Sequence, residues 1–268
     1  MPNARMRIPL FLCCALTLAL VGCATDSRER KAGSPIDDDA MAGIGATAFD
    51  QLKLKGNLSA DYDAQSFVRC VADNLIAELP AEHQEVRWEI LVFEDPGADA
   101  YALPGGKLGV HRDVLPMVDD EAQLAALIAH ELAHLGQRHS AQRLASEFST
   151  ESAVAAVQTF RGDQSPPQTR SAFALLGLGN RVRMPRPYSR VHEVEADNAA
   201  LALMARAGYP PTASPELWQR LAEQQGPISW LITHPDPGHH VEVLDDGLEA
   251  AVIEFDQARA KGRQPRCR

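Results

Sequence analysis

The chain has 268 residues, a formal net charge of −10, 45% apolar residues and only 6% aromatic ones. That length can bury a sizeable core in one large or two small domains. The acidic balance excludes nucleic acid as the main partner, because phosphate recognition needs clustered positive charge.

Arg5 and Arg7 precede an apolar run from Ile8 to Val21, which ends in Leu20-Val21-Gly22-Cys23. A basic start, a short apolar core and small residues at the cut read as a secretory signal over residues 1–22. The run is shorter than the ~20 residues a spanning helix needs. Its ending resembles the bacterial lipobox, which implies lipidation of Cys23; the alternative is an ordinary signal peptide with a chance Cys. Ala24 follows, with no Asp beside the Cys, which in such lipoproteins resembles sorting to the outer membrane. The expected location is the cell envelope, lipid-anchored and facing the periplasm. With Cys13 and Cys14 gone and Cys23 lipidated, Cys70 and Cys267 remain. In an oxidising compartment an even pair suggests a disulfide, the alternative being two separate thiols.

Residues 23–48 lack hydrophobic periodicity and read as a lipidated Cys followed by a flexible linker, leaving 49–268 as the folded domain. Phe67, Val68, Val71, Leu75, Ile76 and Leu79 fall at helical spacing, and Pro80 ends that run. Residues 86–93 are rich in strand formers. Ala100–Leu103 and Lys107–Val110 read as two short strands around Pro104-Gly105-Gly106, with Pro104 restricting the first to an edge or a loop. A helix is expected to start near Asp119-Asp120-Glu121, whose charges suit a helix N-terminus, and to run through Leu124, Leu127, Ile128 and Leu135. Residues 148–187 read as a helical insertion or mobile loop. Further helices are expected over Tyr188–Gly208, around Pro215–Gln224 and from about Val241 to Ala260, with a loop carrying His234-Pro235 between the last two. The fold class expected is α+β, mainly helical with a small sheet. The basic residues Arg259, Lys261, Arg263, Arg266 and Arg268 read as a solvated tail.

On the central helix stands His130-Glu131-Leu132-Ala133-His134. A four-residue step places both imidazoles on one helix face, where they can hold one metal ion while Glu131 reaches a water bound to it. A catalytic zinc needs a third protein ligand and an open position. Glu193 and Asp197, four apart on a later helix, are the best candidates: one can bind metal while the other accepts a hydrogen bond from a ligand imidazole. The competing reading is a solvated surface pair. Glu195 reads as a solvated charge, and His83, His111 and His139 as surface residues. A metzincin would need its third His six residues after the second; His139 comes at five, so that reading fails.

The set His130-Glu131-Leu132-Ala133-His134, Tyr188-Ser189-Arg190, Glu193-x-x-Ala196-Asp197, Ala207-Gly208-Tyr209-x-Pro211 and Thr233-His234-Pro235 resembles the HtpX-like and CAAX-prenyl-protease-like zinc metallopeptidases. Ala-Leu-Pro-Gly-Gly at 102–106 is similar to the strand region of their soluble periplasmic lipoprotein branch. The resemblance runs in consistent order from about residue 60 to about residue 250. It implies a gluzincin domain with one Zn²⁺ held by His130, His134 and Glu193, Glu131 activating water and Asp197 in a supporting catalytic role. Asp99 stands where the family usually has Asn, and His240 where it usually has Arg, six positions past His234.

The implied function is a zinc endopeptidase acting on misfolded or misassembled envelope proteins, with protein or peptide substrates lying extended along Ala100–Leu103. His234 is a further site candidate: it could stabilise an oxyanion or cap the zinc and hold the enzyme latent, the alternative being a loop His fixed by Pro235 with no part in the site. The alternative from another class is a metal-containing periplasmic assembly chaperone or adaptor that works by binding.

Overall fold

The computed structural model describes residues 36–97, 99–162, 164–223, 228 and 230–267. The expected signal segment, Cys23 and the first part of the linker lie outside them. Among the described residues no helix is long and apolar enough to cross a membrane.

Residues 38–48 are not linker. They open α1 (Asp38–Lys55), which Asp37 caps by accepting from the Ala40 N–H at 2.8 Å. Met41, Ile44, Ala48 and Phe49 are buried. The helix escapes a pattern search because Gly43, Gly45 and the alanines beside them dilute its apolar stripe. Those small residues serve a close approach. A Cβ on Gly45 would sit 2.2 Å from the Pro104 carbonyl oxygen, so α1 lies directly on the turn after Leu103.

Asp61 caps α2 (Tyr62–Ile76), and a single turn, α3 (Ala81–Gln84), follows. The sheet comes next: β1 (Glu89–Phe93), β2 (Ala100–Leu103) and β3 (Lys107–His111), in spatial order β1-β3-β2. β1 runs parallel to β3, with Glu89 opposite Lys107, and β2 runs antiparallel to it, with Ala100 opposite Val110. β2 therefore forms one sheet edge. Gly105 and Gly106, both at positive φ, make the β2–β3 turn.

The central helix, α4 (Glu121–Gly136), is capped by Asp120, which accepts from the Ala122 and Gln123 N–H groups. Every residue from Ala122 to Leu135 is buried. Arg138, in the left-handed region, turns the chain into α5 (His139–Ala145). Within 148–187 stand α6 (Thr150–Gln158), α7 (Pro167–Phe173) and a widened turn at Ala174–Leu178, and Val157, Phe160, Phe173 and Leu176 are buried in one cluster with residues of α1. Then come α8 (Arg190–Ala207), stopped by Gly208 at φ 84°, α9 (Ala213–Glu223) and α10 (Pro237–Ala260). α10 starts about four residues earlier than its periodicity predicts, because Pro237 is suited to a first helical turn, and this brings His240 onto the helix.

Two apolar clusters flank the sheet. One face packs with α2, α4, α8, α9 and α10; the other carries Phe93, Tyr101 and Leu103 against α1 and the α5–α7 region. Cys70 on α2 and Cys267 beyond α10 are bridged, with Cα atoms 5.6 Å apart.

Candidate metal centre

α4 and α8 cross in the first cluster, and their buried polar residues meet at one point. His130 Nε2 and His134 Nε2 lie 3.0 Å apart. Glu193 Oε2 is 3.2 Å from His130 Nε2, and Glu193 Oε1 is 3.8 Å from His134 Nε2. His234, from the loop between α9 and α10, puts Nδ1 3.2 Å from His130 Nε2 and 3.3 Å from Glu193 Oε2. Four donors bonded to zinc at 2.0–2.2 Å in a tetrahedron lie roughly 3.3–3.6 Å apart. The observed separations have that scale, and the four donor atoms fall within 4.8 Å of one another. Glu193 Oε1 is buried without a hydrogen-bond partner among the described residues, an acceptor that a cation would satisfy. The donor set fits a zinc ion.

The surroundings fix each imidazole. His130 Nδ1 is 2.9 Å from Asp197 Oδ1, so a ring that donates there turns a bare Nε2 toward the centre. Burial opposes charge on His130, but hydrogen bonds to Asp197 and Glu193 carry its pKa up to about 10, so metal binding would displace a proton from Nε2. Burial and then the neighbouring His130 hold His134 well below the ordinary histidine range. On Glu193, burial acts upward, yet His234 and His130 hold the carboxyl well below its usual value.

His139, read from sequence as a surface residue, is fully buried. Its Nε2 lies 3.0 Å from Glu195 Oε2, and its Nδ1 lies 2.8 Å from His134 Nδ1. Burial keeps its pKa near 4, so the ring is neutral. A neutral His139 that donates to Glu195 must accept from His134 Nδ1–H, which leaves the His134 Nε2 lone pair free for metal. Glu195, half exposed, thus sets a tautomer instead of merely meeting solvent. His111 is also buried, its Nδ1 3.0 Å from the Asp95 carbonyl oxygen. Only the left-handed Arg138 turns His139 back beneath His134, and nothing in spacing signals that.

His240 keeps a contact to the same network: its Nδ1 is 2.6 Å from Asp197 Oδ2, and its ring lies flat on Trp218, centroids 3.5 Å apart. Tyr188 stacks on His134 at 3.9 Å. Glu131 is 3% exposed; it accepts the indole N–H of Trp230 at 2.6 Å and lies 3.2 Å from His234 Nε2. Trp230 sits in a stretch without periodicity four residues before His234, so no spacing marks it. Asp99, at the head of β2, is buried with its carboxyl pushed up to about 7 by burial and then by the charge of Glu131.

The model of Peptidase family M48 matches residues 63–247. Among curated proteins, the chain is 33% identical over 174 residues to "Mitochondrial metalloendopeptidase OMA1" of Schizosaccharomyces pombe, covering 63% of this chain and 49% of that protein. It is 32% identical to "Metalloendopeptidase OMA1, mitochondrial" of Homo sapiens, covering 72% of this chain and 38% of that protein. It is 28% identical to "Beta-barrel assembly-enhancing protease" of Escherichia coli, covering 77% and 43%. The matches thus span less than half the length of each of these relatives. The family match runs from α2 into α10 and encloses every donor of the buried cluster, and by it this chain belongs to peptidase family M48.

Proposed function

We propose that the protein is a zinc-dependent endopeptidase of the HtpX-like and prenyl-protease-like, gluzincin type, in a soluble lipoprotein branch. The observation that carries this is the convergence of His130 Nε2, His134 Nε2 and the Glu193 carboxylate beside the buried Glu131. His130, His134 and Glu193 would hold the ion, and Asp197 orients His130. Zinc held there supplies Lewis-acid polarisation of a peptide carbonyl and lowers the pKa of water toward neutrality. Glu131 takes the proton of the attacking water on its carboxylate and returns it to the departing amine. The substrate chain lies along the edge of β2, held by main-chain hydrogen bonds.

His234 acts as a cap in this reading. Its two ring nitrogens face Glu193 and Glu131, so neither is directed at a substrate carbonyl. With Trp230 also on Glu131, the loop holds the base engaged, and hydrolysis requires residues 230–236 to swing away. Misfolded or misassembled envelope proteins are the substrates we infer, with the chain anchored through Cys23 at the outer membrane and facing the periplasm. Relatives named as β-barrel assembly-enhancing proteases support that setting. The engaged base also favours a second reading, a metal-containing chaperone or adaptor that works by binding.

The test is hydrolysis of unfolded casein by the zinc-loaded chain beside its Glu131→Gln variant. Cleavage that chelator abolishes, zinc restores and Glu131→Gln lacks supports the peptidase. Equal cleavage by the variant removes the mechanism. No cleavage, with metal bound and in-cell function retained by Glu131→Gln, supports the binding reading.

A further inference from the structure

Beside the metal centre lies a pocket of about 270 Å³, near the lower end of ligand-site sizes. It opens between the start of α1, the segment leading into β1, the β2–β3 turn and the end of α4. Its walls include Met41 and Ala42, Val86 and Trp88, Pro104 and Leu135. Of the four clustered donor residues, only His134 contributes to this wall. The Trp88 ring is held by its indole N–H, which donates to the His83 carbonyl at 2.9 Å. The wall formed by α1 is fixed by contact with the turn: a Cβ on Gly105 would sit 2.8 Å from the Ala42 carbonyl oxygen. Asp38, Asp39 and Glu82 ring the mouth, and Arg138 pairs with Asp38 at 2.9 Å, so the rim keeps negative charge.

We propose that this pocket is a specificity subsite that takes one large apolar side chain of the substrate, close to the bond that is cut. The inference rests on the peptidase reading above. Three observations commit it to that occupant. His134 lies in the wall, so a side chain seated there belongs to a residue near the reacting carbonyl. The pocket adjoins Pro104, where the β2 edge ends, so an extended peptide paired with β2 runs into it. The walls are mainly apolar and the volume is too small for a folded partner. The acidic rim disfavours Asp and Glu next to the seated residue. Asp38, Asp39, Met41 and Ala42 precede the family-matched region, so this wall is built from residues outside the shared catalytic part.

The test compares the zinc-loaded full chain with its Ala42→Phe variant, which fills the pocket from α1. Both digest unfolded casein, and cut sites are mapped by mass spectrometry. Wild type should show Leu, Met or Phe at one fixed position near the cut. Ala42→Phe should cut those sites with kcat/KM lower by about 10-fold or more, through KM, while sites with Ala or Ser there are cut at the wild-type rate. Should Ala42→Phe not fold, Val86→Phe fills the same pocket from an irregular segment. An unchanged preference in the folded variant overturns the subsite. Loss of all zinc- and Glu131-dependent cleavage in wild type overturns the peptidase reading instead. The pocket is then judged by calorimetric titration of Glu131→Gln with acetyl-Phe-amide: saturable binding that Ala42→Phe abolishes upholds it as a site for an apolar side chain, and no binding removes it.

Discussion

The indole N–H of Trp230 donates to Glu131 Oε1 at 2.6 Å, with both side chains buried. A hydrogen bond to a charged acceptor contributes roughly 1.5–3 kcal/mol, and this one ties the loop between α9 and α10 to the proposed general base. Trp230→Phe keeps the aromatic packing against Trp218 and removes the donor. The expected outcome is a rise in casein hydrolysis, several-fold and up to about 100-fold if the bond alone holds the loop shut. A fall in rate would show that Trp230 positions Glu131 for catalysis and does not restrain it.

Asp197 accepts from both His130 and His240, at 2.9 and 2.6 Å. Asp197→Asn should weaken zinc binding by about 10- to 100-fold, the range for residues that orient a ligand imidazole. His139→Leu should act in the same direction through His134. Competition with a fluorescent chelator measures both, and unchanged affinity in the two variants would remove the orienting roles.

The Cys70–Cys267 bridge spans 197 residues of sequence and ties the tail beyond α10 to α2. Closing so long a loop contributes about 2–5 kcal/mol in the chain-entropy account. Cys267→Ser should lower the melting temperature, and reductant should bring wild type down to the variant. Equal melting of oxidised wild type and Cys267→Ser would contradict the contribution.

Asp99 carries a pH signature. Its carboxyl has a pKa of about 7 in the fold against 3.8 ordinarily, first through burial and then through Glu131, with Arg181 opposing. Between about pH 4 and 7 the folded chain keeps a proton the unfolded chain has released, so this stabilising contribution is full below pH 4 and is lost as pH rises through 7. Thermal melts of metal-free protein should therefore show wild type losing stability relative to Asp99→Asn from pH 4.5 to 7.5. A constant difference over that range would mean that Asp99 stays ionised in the fold.

What the sequence disclosed depended on whether a feature repeats along one element. His130 and His134, and Glu193 and Asp197, are each four residues apart on a helix, so their shared faces are legible without coordinates. Pro104 left β2 readable as an edge strand or a loop, and it forms a sheet edge. α1 was not, because glycine and alanine, chosen for close approach to the Pro104 turn, leave too thin an apolar stripe. Nor were the roles of His139 and Glu195, which depend on the left-handed Arg138, or of Trp230, which reaches Glu131 across 99 residues. Those contacts are made by tertiary folding alone.

His130, His134 and Glu193 are proposed to hold zinc beside Glu131. Anomalous diffraction at the zinc edge from crystals of the zinc-loaded protein locates the ion. One ion is expected, with His130 Nε2 and His134 Nε2 about 2.0–2.1 Å away and a Glu193 oxygen at about 2.0–2.2 Å. An ion bound elsewhere, or a Glu193 carboxylate turned away from it, would rule out this metal centre.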